Sequence, residues 1–470
     1  GDLRGTVTTG IYDPTIDENR LGGYLRQGWR SDASAPMPMS LYSDIHLVSD
    51  NLFLREMDDG DIGDMQSRYT TSTMLFRATP TEWLSAEAGA EYNQALLTDQ
   101  ALVLQRLPAA SLTASRSLHP FGFNPLGLKV VPSLRLTGAE FSRDEGYDGS
   151  RLDVNPGLRV PFHYQNYFNS EANLGFRNTS YNMDDRSDPQ THALLEESPS
   201  RDIWNLDYSL GTALERVYEL PEGNVLTYLS GLGASNQNEK LVRVRHNIEP
   251  TLRYYYVPPK EQGDLPLYDS LDRIRARNVM VYGVRTSLDG RFLPTGPQGG
   301  RELGELTPRL EDLPLLSGSD AFPDLGDVPG AAGSGIFSMR KGSVSELTYL
   351  GLKQAYDFRE ANLNLDPQRG PLSDLGAELG VSPSDSFAMR LETNYDTRGG
   401  GFSSWAVGNS FYDDRGDAMR GRFTFVDNSI SQVEGNLEVV LSSRLSAGYY
   451  GRWDERVNEF IENRGALRLA

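Results

Sequence analysis

Residues 239–272 read EKLVRVRHNIEPTLRYYYVPPKEQGDLPLYDSLD, and this stretch decides the fold. From Val242 onward, every second residue belongs to one set: Val242, Val244, His246, Ile248, Pro250, Leu252, Tyr254 and Tyr256. The residues between them are Arg243, Arg245, Asn247, Glu249, Thr251 and Arg253. The first set is mostly apolar and the second almost wholly polar. Strict alternation is the signature of a β-strand, because successive side chains leave opposite faces. At about 16 residues the run is far longer than an ordinary strand of ~5–6. A strand that long, apolar on one side and charged on the other, suits a wall between lipid and a wet interior. Val242, Val244, Ile248, Leu252 and Tyr254 are then expected to face lipid, and Arg243, Arg245, Glu249 and Arg253 the lumen. Tyr254 and Tyr256 with Pro258 and Pro259 close the run as an interfacial aromatic girdle would.

Composition neither supports nor opposes that reading. The chain has 470 residues, 38% of them hydrophobic, and a mean hydropathy of −0.47. No run of ~18 apolar residues offers a membrane helix, and a barrel has the same low average because half of each strand is polar. At roughly 18–20 residues per strand and connection, the length allows on the order of 24 strands. Net charge is −20, from 65 acidic and 45 basic residues, with no basic stripe of the kind nucleic acid requires. There is no cysteine. No signal peptide opens the sequence, so a mature or trimmed chain is expected.

The two-residue period recurs along the chain. Leu3–Ile11, Leu21–Trp29 and Leu41–Leu47 alternate, and a strand through Met74, Phe76 and Ala78 turns at Thr79-Pro80-Thr81 into Leu84–Tyr92. Leu128–Leu136, Leu152–Phe162 and Trp204–Leu214 follow, then Leu375–Val381, Phe387–Tyr395 and the pair that turns at Ser442-Ser443-Arg444. Pro132, Pro156 and Pro250 lie inside such runs, where each removes a ladder hydrogen bond. Residues 290–342 carry no period and are rich in Gly and Pro, as a long loop would be. We expect an all-β chain of about 20 to 24 antiparallel strands in one barrel domain spanning residues 1–470.

Candidate chemistry is sparse. The histidines His46, His119, His163, His192 and His246 are scattered without metal-ligand spacing, and no G-x-S-x-G elbow occurs. His246 reads as a packing or interface residue. The acidic loop Asp58–Asp64 lacks the spacing of a calcium loop. We expect no enzyme, no catalytic metal and no cofactor. Interior arginines could meet phosphates, although interior charges occur in any barrel.

Four motifs add a resemblance. His246, Glu249-Pro250, Tyr256, Pro258, Gln262, Pro266 and Asp269 resemble the barrel of the LptD family, outer-membrane LPS-assembly proteins also called organic solvent tolerance proteins. Ser49-Asp50-Asn51 is similar to an early strand end of that family, Arg106-Leu107-Pro108 to an "RLP" element, and Gln354 with Tyr356 to a later "Q-x-Y" strand. The four occur in the family's order over residues 40 to 360. The resemblance implies a 26-stranded barrel in the bacterial outer membrane, plugged by an LptE-like lipoprotein. It implies lipopolysaccharide as cargo, delivered from an LptA-like bridge through a periplasmic jelly-roll domain. The sequence departs from the family in three respects. It has no jelly-roll and no cysteines, its first residues match about the family's third strand, and it stops before the family's last strand. A portion of a longer protein is therefore expected, with the gate strands incomplete. A diffusion porin, a TonB-type transporter and an adhesive β protein remain open on the pattern alone.

Overall fold

The computed structural model describes residues 2–13, 18–32, 35–57, 62, 68–97, 100–119, 128–164, 167–187, 194–221, 239–294, 344–365, 370–384, 386–413, 415–442 and 444–469. Among these the chain is built of β-strands, with two short helices. It packs as two compact units, one of residues 1–162, 171–208 and 255–277, the other of residues 163–170, 209–254 and 278–470.

The first unit is an antiparallel meander. It runs through β1 (Asp2–Asp13), β2 (Glu18–Arg30), β3 (Met39–Val48), β4 (Tyr69–Thr81), β5 (Leu84–Ala95), β6 (Gln105–Ser115), β7 (Val131–Ser142) and β8 (Gly149–Tyr164). Each of these strands pairs with the next. β9 (Phe168–Met183) and β10 (Ser200–Gly211) follow and pair with each other. A helix, α1 (Phe53–Met57), lies between β3 and β4. Large apolar side chains on one parity stay exposed, among them Leu21, Leu25 and Trp29 of β2 and Leu152 and Leu158 of β8. The other parity of β2 carries Arg20, which is buried, and Arg26, which pairs with Asp44.

The second unit contains β11 (Leu214–Glu219), β12 (Glu239–Val257), β13 (Arg277–Pro294) and β14 (Val344–Asp357). After a helix, α2 (Phe358–Leu363), come β15 (Leu375–Ser384), β16 (Phe387–Asp396), β17 (Gly401–Tyr412), β18 (Ala418–Val426), β19 (Ile430–Ser442), β20 (Leu445–Asp454) and β21 (Glu459–Leu469). β13 to β21 pair in chain order, all antiparallel. The registers line up whole rows of side chains. Leu350, Leu379, Leu391, Val407, Phe423, Val433, Trp453 and Phe460 stand opposite one another from β14 to β21. One residue along β14 to β20, on the other face, the row reads Tyr349, Gly380, Arg390, Gly408, Arg422, Glu434 and Arg452, and Glu462 stands opposite Arg452 across a register shift in β21. A slip of one residue in any pair would put an arginine among the leucines, so the two-faced pattern fixes the register.

Several boundaries differ from the sequence reading. β4 continues through Thr81 and turns at Glu82-Trp83. β7 begins at Val131, and β13 extends past residue 290 to Pro294, its pairing with β14 running to Arg291. Residues 295–342 of the expected loop lie outside the described residues. β9, β11, β17, β18, β21 and both helices had no named counterpart in the reading. Pro250 sits at a break in the ladder. It lies where β10 gives way to β11, and its carbonyl accepts from Thr212 N at 3.3 Å while Ile248 pairs with Leu214. The ladder break thus falls beside the residue that has no N–H to contribute. Among the described residues no helix is long and apolar enough to cross a membrane, which says nothing of strands.

Candidate functional site

The connection from β12 to β13 is held to the first unit by a network of buried hydrogen bonds. Pro258 and Pro259 end β12, since neither can donate to a ladder. The chain then closes a short 3-10 turn at Ser270–Asp272, capped by Asp269, whose Oδ1 accepts from Leu271 N at 2.8 Å. Asp272, fully buried, accepts from Tyr268 N at 2.7 Å and Asp269 N at 2.8 Å. Gln262 pinches the base of the loop, donating to Ile274 O at 2.8 Å and accepting from Ile274 N at 2.9 Å.

Two buried arginines bind this loop to the strands. Arg151, at the start of β8, grips the Asp269 carboxylate with both Nη atoms at 2.7 and 2.6 Å. Its Nη1 also donates to Asp272 at 2.7 Å. Tyr181 of β9 donates its hydroxyl to Asp272 at 2.5 Å. Arg201 of β10 donates to Gln262 Oε1 at 2.9 Å, to Leu271 O at 2.7 Å and to Thr179 Oγ1 at 3.0 Å. Thr179 in turn donates to Asp153 at 2.8 Å. An apolar cluster of Tyr147, Tyr181, Met183 and Leu265 packs alongside, and Tyr268 stacks on Phe141 with ring centroids 4.3 Å apart. Burial pushes the Asp269 carboxyl up, but the hydrogen bonds and charge of Arg151 outweigh it and hold it below the usual carboxylate range. Burial pushes the Tyr268 phenol up.

A second anchor holds the segment after β3. Arg20 of β2 donates to Asp50 at 2.7 and 3.0 Å and pairs with Glu56 of α1. Ser49 Oγ accepts from Leu21 N at 2.9 Å and donates to Asp50 at 2.9 Å. The Arg20 hydrogen bonds hold the Asp50 carboxyl below its ordinary value. Phe53, Leu54 and Ile62 are buried beneath this anchor. A Cβ at Gly22 would overlap the Phe53 ring, so glycine is what lets α1 approach β2. Asn51 stays exposed. Of the acidic stretch 58–64, Ile62 is the one described residue.

The remaining motif residues fall elsewhere. Arg106 pairs with Glu91 at 2.9 Å, where the β6–β7 register shifts past Leu107 and Pro108. Gln354 accepts from Tyr282 OH at 2.7 Å and donates to Ser373 O at 3.1 Å; Tyr356 meets Phe358 edge-on at 4.9 Å. Tyr256 lies against Trp204 at 4.9 Å. Pro266 is fully buried. His246 hydrogen-bonds Thr286 Oγ1 at 2.7 Å. Arg243 pairs with Glu219 at 2.9 Å, and Arg245 with Asp289 at 2.8 Å. Val244 is buried with Leu241, Phe292 and Leu347. Glu249 and Arg253 are half-buried.

The motifs therefore do not meet in one centre. Gln262, Pro266 and Asp269 belong to one loop anchor, and Ser49 and Asp50 to another. Arg151, Asp272, Tyr181, Arg201, Arg20 and Glu56 complete those anchors, and the sequence reading missed them. The available signal was an arginine one residue before the alternating run of β8, and an aspartate three residues after Asp269. Among the described residues no three His, Asp or Glu side chains lie close enough to hold a metal ion. The arrangement positions loops on the polar faces of strands.

Comparison with known proteins follows the same lines. Residues 24–454 match the family model described as LptD, LPS transport system D. An LPS-assembly protein LptD of Pseudomonas putida is 22% identical over 415 residues, which is 79% of this chain and 42% of that protein. The Neisseria gonorrhoeae protein of the same name is 29% identical over 199 residues, 38% of this chain and 21% of the relative. The Vibrio cholerae protein is 29% identical over 157 residues, 29% of this chain and 17% of the relative. The chain thus spans less than half the length of these curated relatives.

Proposed function

We propose, from the premise that this chain belongs to the LptD family, LPS transport system D, that it is the membrane-spanning barrel of a lipopolysaccharide translocon in the bacterial outer membrane. The observation that carries the reading is the family match over residues 24–454. The side-chain rows support it. A continuous row of eight apolar residues from Leu350 to Phe460 backs directly onto a row holding Arg390, Arg422, Glu434, Arg452 and Glu462. An apolar band on one face and a charged face behind it are what a wall between hydrocarbon and a wet lumen requires. Leu252 and Tyr254 are read as lipid-facing, and Arg243, Arg245, Glu249 and Arg253 as lumenal.

On this reading the work is passage of an amphiphile and no bond is broken. The polar face contacts the sugar and phosphate portion of lipopolysaccharide and a plug lipoprotein of the LptE kind. An LptA-like bridge delivers the cargo through a periplasmic domain outside this chain. The loop 258–276 and the segment 49–57 are fixed parts of the lumen lining, since each is tied down by buried charge-assisted hydrogen bonds.

Sidedness follows from antiparallel pairing within the second unit. β13 ends and β14 begins at the end of the sheet where β15 turns into β16 and β19 into β20. Short turns belong to the periplasmic side of such barrels, and on this reading the end of β13 and the start of β14 lie on the periplasmic side.

The test is electrical and biochemical. Reconstituted with its co-purifying lipoprotein in planar bilayers, the protein should conduct almost no ions. Cells depleted of it should accumulate lipopolysaccharide short of the surface. Steady porin-like conductance with normal surface lipopolysaccharide would refute the proposal.

A further inference from the structure

β11 and β12 sort their charges by face. On one face Glu219 pairs with Arg243 at 2.9 Å and Glu215 approaches Arg245 at 3.6 Å. The other face carries Leu214, Arg216 and Tyr218 opposite Ile248, His246 and Val244. Beside His246 and among these apolar and aromatic side chains, Arg216 is the one arginine. Its guanidinium lies over the Tyr218 ring at 5.1 Å, and among the described residues no carboxylate pairs with it. His246, directly across the ladder, hydrogen-bonds Thr286 Oγ1 at 2.7 Å.

The position of this arginine along the strand matters. Thr212, just before β11, donates its hydroxyl to Tyr167 O, so β11 begins level with the turn between β8 and β9. Tyr164, Tyr167 and Phe168 cluster at that turn, with ring centroids 5.8 and 6.0 Å apart. Such an aromatic cluster marks the boundary between hydrocarbon and headgroups. Four residues beyond Thr212, Arg216 lies roughly 13 Å further along the strand. At a strand tilt of ~40° that is on the order of 10 Å along the bilayer normal. A headgroup layer is ~5–7 Å thick, and an arginine side chain can reach back across the remainder. Among the described residues a cation there has no carboxylate partner, while its neighbours on the same face are apolar or aromatic.

We propose that Arg216, flanked by Tyr218 and His246, binds the phosphate of an anionic phospholipid in the inner leaflet of the outer membrane. The proposal rests on the barrel reading above. The leaflet follows from sidedness. Leu241 of β12 packs with Phe292 of β13 and Leu347 of β14. This end of β11 and β12 is therefore the end at which β13 gives way to β14, assigned above to the periplasm. A guanidinium can take two phosphate oxygens at once, a geometry that lysine does not reproduce. Arg216 is exposed and outside every buried network, so its replacement leaves folding intact.

The test is lipid retention. Wild type, R216Q, R216K and the opposite-face control R243Q are reconstituted in bilayers of phosphatidylethanolamine and phosphatidylglycerol, re-extracted in mild detergent and weighed by native mass spectrometry. Wild type and R243Q should each retain one phosphatidylglycerol. R216Q should lose it by about tenfold or more, and R216K should fall between. Equal retention by R216Q and wild type overturns the site while leaving the barrel reading intact. Capture of added lipopolysaccharide in place of phospholipid, abolished by R216Q, overturns the choice of ligand. Failure of wild type to enter bilayers at all removes the barrel reading and this site with it.

Discussion

Replacing Asp272 with alanine should free the loop 258–276 from the strands that hold it. Asp272 is fully buried and accepts from Arg151 Nη1, Tyr181 OH, Tyr268 N and Asp269 N. Alanine leaves a buried phenol hydroxyl and two backbone N–H groups without acceptors, each costing about 1–3 kcal/mol. Arg151 keeps Asp269 as a bidentate partner, so its own loss is partial. These costs overlap and do not add, and breaking one side of a buried ion pair is worth ~3–5 kcal/mol. We expect a local loss of about 4 kcal/mol, which is on the order of a thousandfold rise in the open population of the loop. Native-state hydrogen exchange reads this directly. The amides of Tyr268 and Asp269 should lose about three decades of protection, while those of β18 to β20 keep theirs. D272N, which retains the shape and one acceptor oxygen, should fall between. Unchanged protection of Tyr268 and Asp269 in D272A would show that the ion network does not hold the loop.

Acid should act on the same anchor. The Asp269 carboxyl is held below its unfolded value, so its contribution is complete above the unfolded pKa of ~3.9 and is lost as pH falls through the lower folded value. Protease resistance of the loop should therefore persist at pH 5 to 7 and fail below about pH 4, and D269N should resist less at all these values. Changing Phe423, in the middle of the apolar row, to arginine should cost ~2–4 kcal/mol in lipid, seen as a lowered unfolding midpoint in bilayer-based titrations; the same change at Gly408, on the charged face, should cost less. Gly22→Val would force the Phe53 ring aside and cost about 1–3 kcal/mol, measurable by faster proteolysis between β3 and β4. A protease site inserted near Gly330 should be protected in intact cells and cut after outer-membrane permeabilisation, since the flanking strand ends lie at the short-turn end; cleavage from outside would reverse the sidedness.

The all-β class, the two-faced character of the strands and the family were legible in the amino-acid order. Alternation is a local property, and a strand records it within a few residues, as 242–256 does. The charged and apolar rows need the registers as well, but the alternation strongly constrains them, because a one-residue slip exchanges the faces. What lay outside the sequence's reach was the pairing of distant residues. Asp269 and Asp272 stand in the opening stretch as two acids in a polar loop, and nothing nearby says that Arg151, more than a hundred residues earlier, is their partner. Arg20 with Asp50 and Glu56 is hidden in the same way, because a salt bridge leaves no period in either segment. That no carboxylate among the described residues pairs with Arg216 is likewise invisible in the sequence, where Glu215 and Glu219 are close neighbours. The period-2 geometry sends those two side chains to the opposite face, and the folded sheet then pairs them with Arg245 and Arg243. Local periodicity therefore determined the wall, and the tertiary fold decided which of its charges are satisfied.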